Sequence, residues 1–171
     1  ELFRGRGVLV RVDPGTGRGH HQHVRTAGTY SKFGVPMDEL PELRRLAEAA
    51  QARIVGLHAH TGSGVYDIAN WTQTAETLGG LAREFPDVRT LNIGGGFGVP
   101  DGADRSRVDL RALDEALLAF RTLNPKLSLW IEPGRYLVAV AGVLLARVTQ
   151  LKHKGAQGYA GVAAGMNALI R

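Results

Sequence analysis

Four short apolar runs set the strongest limit on how this chain can fold: residues 8–12, 54–60, 90–93 and 127–132. Alternate residues of a strand face opposite ways, so parity sorts each run into two faces. Val8, Val10 and Val12 oppose Leu9, Arg11 and Asp13. Val55, Leu57 and Ala59 oppose Gly56, His58 and His60. Leu91 and Ile93 oppose Thr90, Asn92 and Gly94, and Leu127, Leu129 and Ile131 oppose Ser128, Trp130 and Glu132. Each strand therefore has one apolar face and one that turns polar at its C-terminal end. Helices can cover the apolar faces, and the polar faces then line a shared interior.

Three helical stretches separate the runs. Residues 37–51 carry Leu40, Leu43, Leu46 and Ala47 at helical spacing, with Asp38 near the start. Residues 68–84 follow Asp67, and residues 110–123 follow Asp109. Both aspartates are candidate caps, and Leu113, Leu117 and Phe120 share a face of the third stretch. Strands alternating with helices predict a parallel α/β architecture. A doubly wound sheet has helices on both faces of its central strands. One-sided polar strands fit a (β/α)8 TIM barrel better, with chemistry at the C-terminal strand ends. A full barrel takes about 250 residues, so four strands amount to about half of one.

After Arg135 the rhythm changes, and VLLARVTQL at residues 143–151 is β-prone with no helix before it. The expected organisation is the C-terminal half of a barrel over residues 1–135, then an exit into an incomplete β domain over residues 136–171. The chain begins with Glu1 rather than Met, so it is expected to be a segment of a longer one. It has no cysteine, which excludes a disulfide frame and a thiolate metal site and suits a cytoplasmic location. No run approaches the 18 or so apolar residues of a membrane helix. The formal charge is +5, but the arginines are scattered rather than banked, so no nucleic-acid partner is expected.

Three stretches carry the chemistry. GLHAHTGSG (residues 56–64) puts His58 and His60 on one face at a strand end, before a Gly-Ser-Gly turn whose amides and Ser63 hydroxyl suit an anion. The same turn also reads as a plain strand-to-helix connection. Two histidines at this spacing can bind a metal, yet no third ligand is evident, so no metal is expected. IGGGFG (residues 93–98) is neither a dinucleotide fingerprint nor a P-loop. Gly94, Gly95 and Gly96 make either a loose turn or a backbone that lets a phosphate come close. WIEPGR (residues 130–135) pairs Glu132 with Arg135, either as a surface ion pair or as a carboxylate and guanidinium set to hold a ring nitrogen and an anion. Arg11 points to the interior by parity. RGHHQHVRTAG (residues 18–28) reads as a polar loop.

In order and spacing, GLHAHTGS, LNIGGGFG and EPGR resemble the fold-type III pyridoxal-phosphate decarboxylases, which join an alanine-racemase-like barrel to a C-terminal β domain. That family includes decarboxylases for meso-diaminopimelate, ornithine and arginine. EPGRYLVAVAGVLLARVTQLKHKG and GMNALIR look most like its diaminopimelate branch, and the opening LVRVDPGTGRGHHQHVRTAGTYSKFG looks like the form fused to an aspartate kinase. Ala164 and Ala168 depart from aspartates common in that tail.

The resemblance implies pyridoxal 5′-phosphate (PLP) as cofactor. His60 would stack on its ring, Glu132 would partner its ring nitrogen, and Ser63, Gly94, Gly95, Gly96 and Arg135 would take its phosphate. His58 and Arg11 are further candidates beside it. Arg135 and Arg171 would grip the carboxylates of a small amino-acid substrate. The resemblance also implies a homodimer with the active site at the subunit interface. The family's Schiff-base lysine and catalytic cysteine are expected outside residues 1–171, since none of Lys32, Lys126, Lys152 or Lys154 lies in the matching motif. On that expectation the segment is inactive alone. The rival readings are another diamine-forming decarboxylase of the same fold, a non-catalytic PLP-binding barrel, and a degenerate half-barrel.

Overall fold

The computed structural model describes residues 2–15, 18–19, 31–100 and 107–168. It divides the chain into two compact units, Glu1–Ala139 and Val140–Arg171.

In the first unit the elements run β1 (Gly7–Asp13), β2 (Arg18–Gly19), β3 (Val35–Pro36), a 3-10 turn (Met37–Glu39), α1 (Leu40–Ala49), β4 (Arg53–His58), β5 (Gly62–Ser63), α2 (Ala69–Ala82), β6 (Thr90–Gly95), α3 (Leu110–Leu123), β7 (Ser128–Glu132) and α4 (Gly134–Val138). A five-stranded parallel sheet has the order β3-β1-β4-β6-β7, and the two-residue strands β2 and β5 pair separately. From β1 onward each long strand adds on the same side of the last, through a helix. The winding never reverses, as it does at the switch point of a doubly wound sheet. It follows the course of a barrel wall.

The apolar faces meet the helices as parity requires. Val10, Val12, Leu57, Ala59, Leu91 and Ile93 are buried against Leu40, Trp71, Ala75, Leu78 and Leu113. Full burial of side chains such as Leu57, Leu78 and Leu91 stabilises the unit by about 1.5–3 kcal/mol each. The second strand departs from simple alternation. Val8 pairs with Ile54 but Leu9 pairs with Gly56, so the register slips by one residue at Val55. An extra residue in one strand inverts the faces on either side of it. Ile54 is therefore buried beside Leu57, although parity alone puts it with the polar set. Alternation alone gives that face to Val55, but the slip leaves Val55 only partly buried and puts Ile54 in the core.

Helix α3 forms as its sequence predicts. The Asp109 carboxylate accepts from the Ala112 amide at 2.9 Å, and Leu113 is buried with Leu117 and Phe120 packed against the core. Gly79 of α2 admits the Phe120 ring, because a Cβ there would lie 2.8 Å from its Cζ. The Asp67 carboxylate accepts from the Ala69 amide at the start of α2. In α1, Leu40 is buried and Leu43 and Ala47 are partly so, but Leu46 is half exposed.

Residues 134–138 are helical, and Tyr136 packs on the core with its ring 5.6 Å from that of Phe97. The second unit contains one antiparallel hairpin, β8 (Val148–Lys154) and β9 (Gln157–Val162), turning through Gly155 at φ +58°. The β-prone stretch from residue 143 becomes strand only at Val148, and both strands are exposed along their length. Among the described residues no helix is long and apolar enough to cross a membrane.

Candidate cofactor site

The polar ends of β1, β4, β6 and β7 converge. Arg11 pairs in register with His58, and His58 with Asn92, so the three lie abreast across the sheet. Between β6 and β7 the register shifts again: Asn92 faces Trp130, but Gly95 faces Glu132. Three residues of β6 thus span two of β7. The slip is accommodated by Gly94 at φ +74°, a conformation that glycine adopts without steric cost. It brings Glu132 up to its neighbours. The Asn92 amide Nδ2 donates to Glu132 Oε1 at 2.8 Å, and His58 Nε2 lies 3.8 Å from the same oxygen.

The carboxylate is half exposed, and Oε2 accepts no hydrogen bond among the described residues. His58 Nε2 is buried and also lacks a hydrogen-bond partner among them. Burial pushes the His58 imidazole below its ordinary pKa, against the pull of Glu132, with Arg11 and His60 adding repulsion. Burial and Arg11 likewise lower His60, against Glu132 and a backbone bond to Gly62. Arg11 is lowered by partial burial, offset by Glu132 and Asp13. Its guanidinium sits 4.7 Å from the centroid of the Phe33 ring.

The glycine turn is fastened from three sides. The Gly95 amide donates to His60 Nδ1 at 3.3 Å, which requires that nitrogen to be unprotonated. Trp71 Nε1 donates to the Gly95 carbonyl at 2.9 Å from below, with its ring stacked on Phe97 at 4.1 Å. Val65 donates to the Gly96 carbonyl, and Gly98 donates to the Val65 carbonyl. The glycines are demanded by backbone approach as well. A Cβ on Gly94 would lie 2.6 Å from the Ala59 carbonyl oxygen. One on Gly95 would overlap the Glu132 carbonyl, and one on Gly96 that of Gly62.

The sequence reading assigned all three glycines to a phosphate. The structure gives them unequal parts. The Gly94 amide donates to Asn92 Oδ1 and the Gly95 amide to His60. Gly95 pairs with Glu132 across β6 and β7, and because Pro133 has no N–H the Gly96 amide closes that pair on the Glu132 carbonyl. Gly96 also lies beside Ser63, whose Cα would be 3.3 Å from a Cβ on Gly96. His58, His60, Gly94, Gly95, Glu132 and Arg11 are therefore brought together, with Gly96 and Ser63 at the margin. Arg135 lies exposed on α4, its side chain making no hydrogen bond or ion pair among the described residues. Arg171 and the histidines at 20, 21 and 23 lie outside the described residues.

Two contributors were not singled out from sequence. Asn92 is buried, and both ends of its side chain are bonded within the site. Its signal was a polar residue on the inner face, two residues before a glycine run. Trp71 holds the Gly95 carbonyl from α2 and leaves no local signal, because its partner is 24 residues away.

A family model described as "Pyridoxal-dependent decarboxylase, pyridoxal binding domain" matches residues 1–139. The diaminopimelate decarboxylase of Methanothermobacter thermautotrophicus is 35% identical over 96% of this chain and 41% of its own length. A crystal structure of a diaminopimelate decarboxylase superposes with a TM-score of 0.82 at 34% identity, covering 96% of this chain and 40% of that one. A point mutant of the Helicobacter pylori diaminopimelate decarboxylase, complexed with L-lysine, gives 0.81 at 26% identity, over 97% and 42%. The chain thus spans about two fifths of the length of the curated relatives it matches.

Proposed function

The chain belongs to the pyridoxal-dependent decarboxylases, and from that premise we propose that it forms part of an enzyme converting meso-2,6-diaminopimelate to L-lysine and carbon dioxide. The observation that carries the reading is Glu132. Its carboxylate is held by Asn92 through one oxygen and left open at the other, beside the His58 imidazole and paired at its backbone with the fastened glycine turn. The similarity to diaminopimelate decarboxylases, one of them bound to L-lysine, supports the substrate.

The donor set fits PLP. Glu132 Oε2 is an open acceptor for a protonated ring nitrogen, His60 supplies a neutral ring, and Ser63 beside the glycine turn supplies a donor for a phosphate. When bound, the cofactor takes up the electron pair left as carbon dioxide departs. Glu132 favours the protonated ring nitrogen by charge, and Asn92 and Gly94 fix the direction of that charge. Burial keeps His60 neutral, so its Nδ1 continues to accept from Gly95.

Diaminopimelate carries a second carboxylate that must be held while the first is lost. Arg135 and Arg171 are the guanidiniums assigned to it, since their planar forks match a carboxylate. In this reading the enzyme is a cytoplasmic homodimer with its site at the subunit interface. Residues 1–135 are the C-terminal half of the barrel, and residues 136–171 open the β domain.

The test is carbon dioxide release by the intact enzyme carrying this segment, from meso-diaminopimelate, ornithine, arginine and lysine. Diaminopimelate should give the highest kcat/KM. Faster turnover of ornithine or arginine would reassign the substrate. No release from any of them, with PLP bound, would leave a cofactor-binding barrel.

A further inference from the structure

We infer that Asn92 is a positioning residue that ties the ring-nitrogen carboxylate to the glycine turn, so that the two ends of the cofactor site move as one. The inference rests on the reading of Glu132 given above and adds a component to it. Asn92 is only 8% exposed, and its amide has a single consistent orientation. Nδ2 donates to Glu132 Oε1 at 2.8 Å, and Oδ1 accepts from the Gly94 amide at 3.0 Å. A flipped amide would set oxygen against carboxylate oxygen and NH2 against N–H.

This one side chain bridges β7 to the turn at the point where β6 and β7 slip in register. There the backbone ladder is interrupted between Asn92 and Gly95, and the side-chain bridge takes its place. Of the bonds made by Asn92, the one to Gly94 is structural and would serve any glycine turn. The one to Glu132 is charge-assisted, and it selects which carboxylate oxygen stays open. His58 Nε2 stands 3.8 Å from the bonded oxygen, beyond hydrogen-bond reach, so the directional bond to this carboxylate comes from Asn92.

The test is a double-mutant cycle on PLP affinity, followed by cofactor absorbance in the intact enzyme. Asn92→Ala should weaken PLP about ten- to a hundredfold in the Glu132 background, the range for a hydrogen bond to a charged group. In a Glu132→Ala background the same change should matter less than about twofold, because Asn92 then has no carboxylate to aim. Equal losses in both backgrounds, or none in the first, would overturn the inference and leave Asn92 a structural support. Failure of the wild-type enzyme to bind PLP would instead remove the functional reading beneath it.

Asn92→Asp carries the test if the alanine variant does not fold. It keeps an acceptor for Gly94, and a proton shared between two adjacent carboxyls replaces the amide donor. Its affinity relative to wild type should be close to one in mildly acidic buffer and fall as the pH rises and that proton leaves. A ratio that does not change with pH would overturn the inference.

Discussion

Gly96→Ala separates two reasons for having a glycine in this turn. Gly96 stands at φ +79°, and a Cβ there would overlap the Gly62 carbonyl. The left-handed conformation costs a residue with a Cβ about 1–2 kcal/mol. Forcing an extra carbon into packed backbone costs about 1–3 kcal/mol more. Together the change should lower stability by about 2–5 kcal/mol, a large share of the 5–15 kcal/mol typical of a domain. The assay is urea unfolding of the cofactor-free protein, read as a fall in the midpoint with the slope unchanged. Because no phosphate is present, a loss measured there belongs to the backbone conformation and its close approach to Gly62, not to the ligand. A change below about 0.5 kcal/mol, the ordinary range for harmless substitutions, would refute the reasoning. If such a variant also lost PLP affinity, the glycine would be needed for the ligand rather than for the Gly62 strand.

Three further outcomes are expected. Glu132→Ala should reduce kcat about 100- to 1,000-fold, the usual loss when one preorganised charge-stabilising group is removed, while PLP still binds; an unchanged rate of carbon dioxide release would end its assigned role. His58 and His60 are both lowered in the folded state, chiefly by burial, so the unfolded chain binds their protons more readily. Their contribution to stability is present above the ordinary histidine value of about 6.5 and is lost as pH falls below it toward the folded-state values; urea midpoints that stay flat with falling pH in wild type, or fall equally steeply in His60→Gln, would contradict this. Trp71→Phe keeps a ring to stack on Phe97 but strands the buried Gly95 carbonyl, and should cost about 1–3 kcal/mol in thermal or urea unfolding.

Much of the fold was legible because its signals are local. Asp109 and the Leu113–Leu117–Phe120 spacing mark α3 without reference to anything distant, and the helix occupies Leu110–Leu123. The alternating faces of β1 and β6 follow from period two alone. Alternation failed at Val55, since a register slip is a property of a strand pair and not of either strand. Leu46 shares the helical spacing of its neighbours yet stays half exposed, because the sheet beneath decides which part of an apolar stripe is covered. The site was legible as a set of residue types at strand ends. Its internal wiring was not, because Asn92 meets Glu132 across 40 residues of chain. The three glycines looked equivalent in one dimension. They differ because each is approached by a different segment: Gly94 by Ala59, Gly95 by Glu132 and Gly96 by Gly62.

The fastening of the glycine turn has a thermodynamic consequence. Its amides and carbonyls are committed to His60, Asn92, Trp71 and Val65 before any ligand arrives. Docking an anion beside this turn therefore orders almost no backbone, and the entropic penalty that weakens capture by floppy loops is largely absent. An insertion of a few residues between Gly96 and Gly98 would open the clasp that Val65 makes on both sides of Phe97. Its effect would be to make capture wait on local refolding, which calorimetry would register as a more unfavourable entropy of binding.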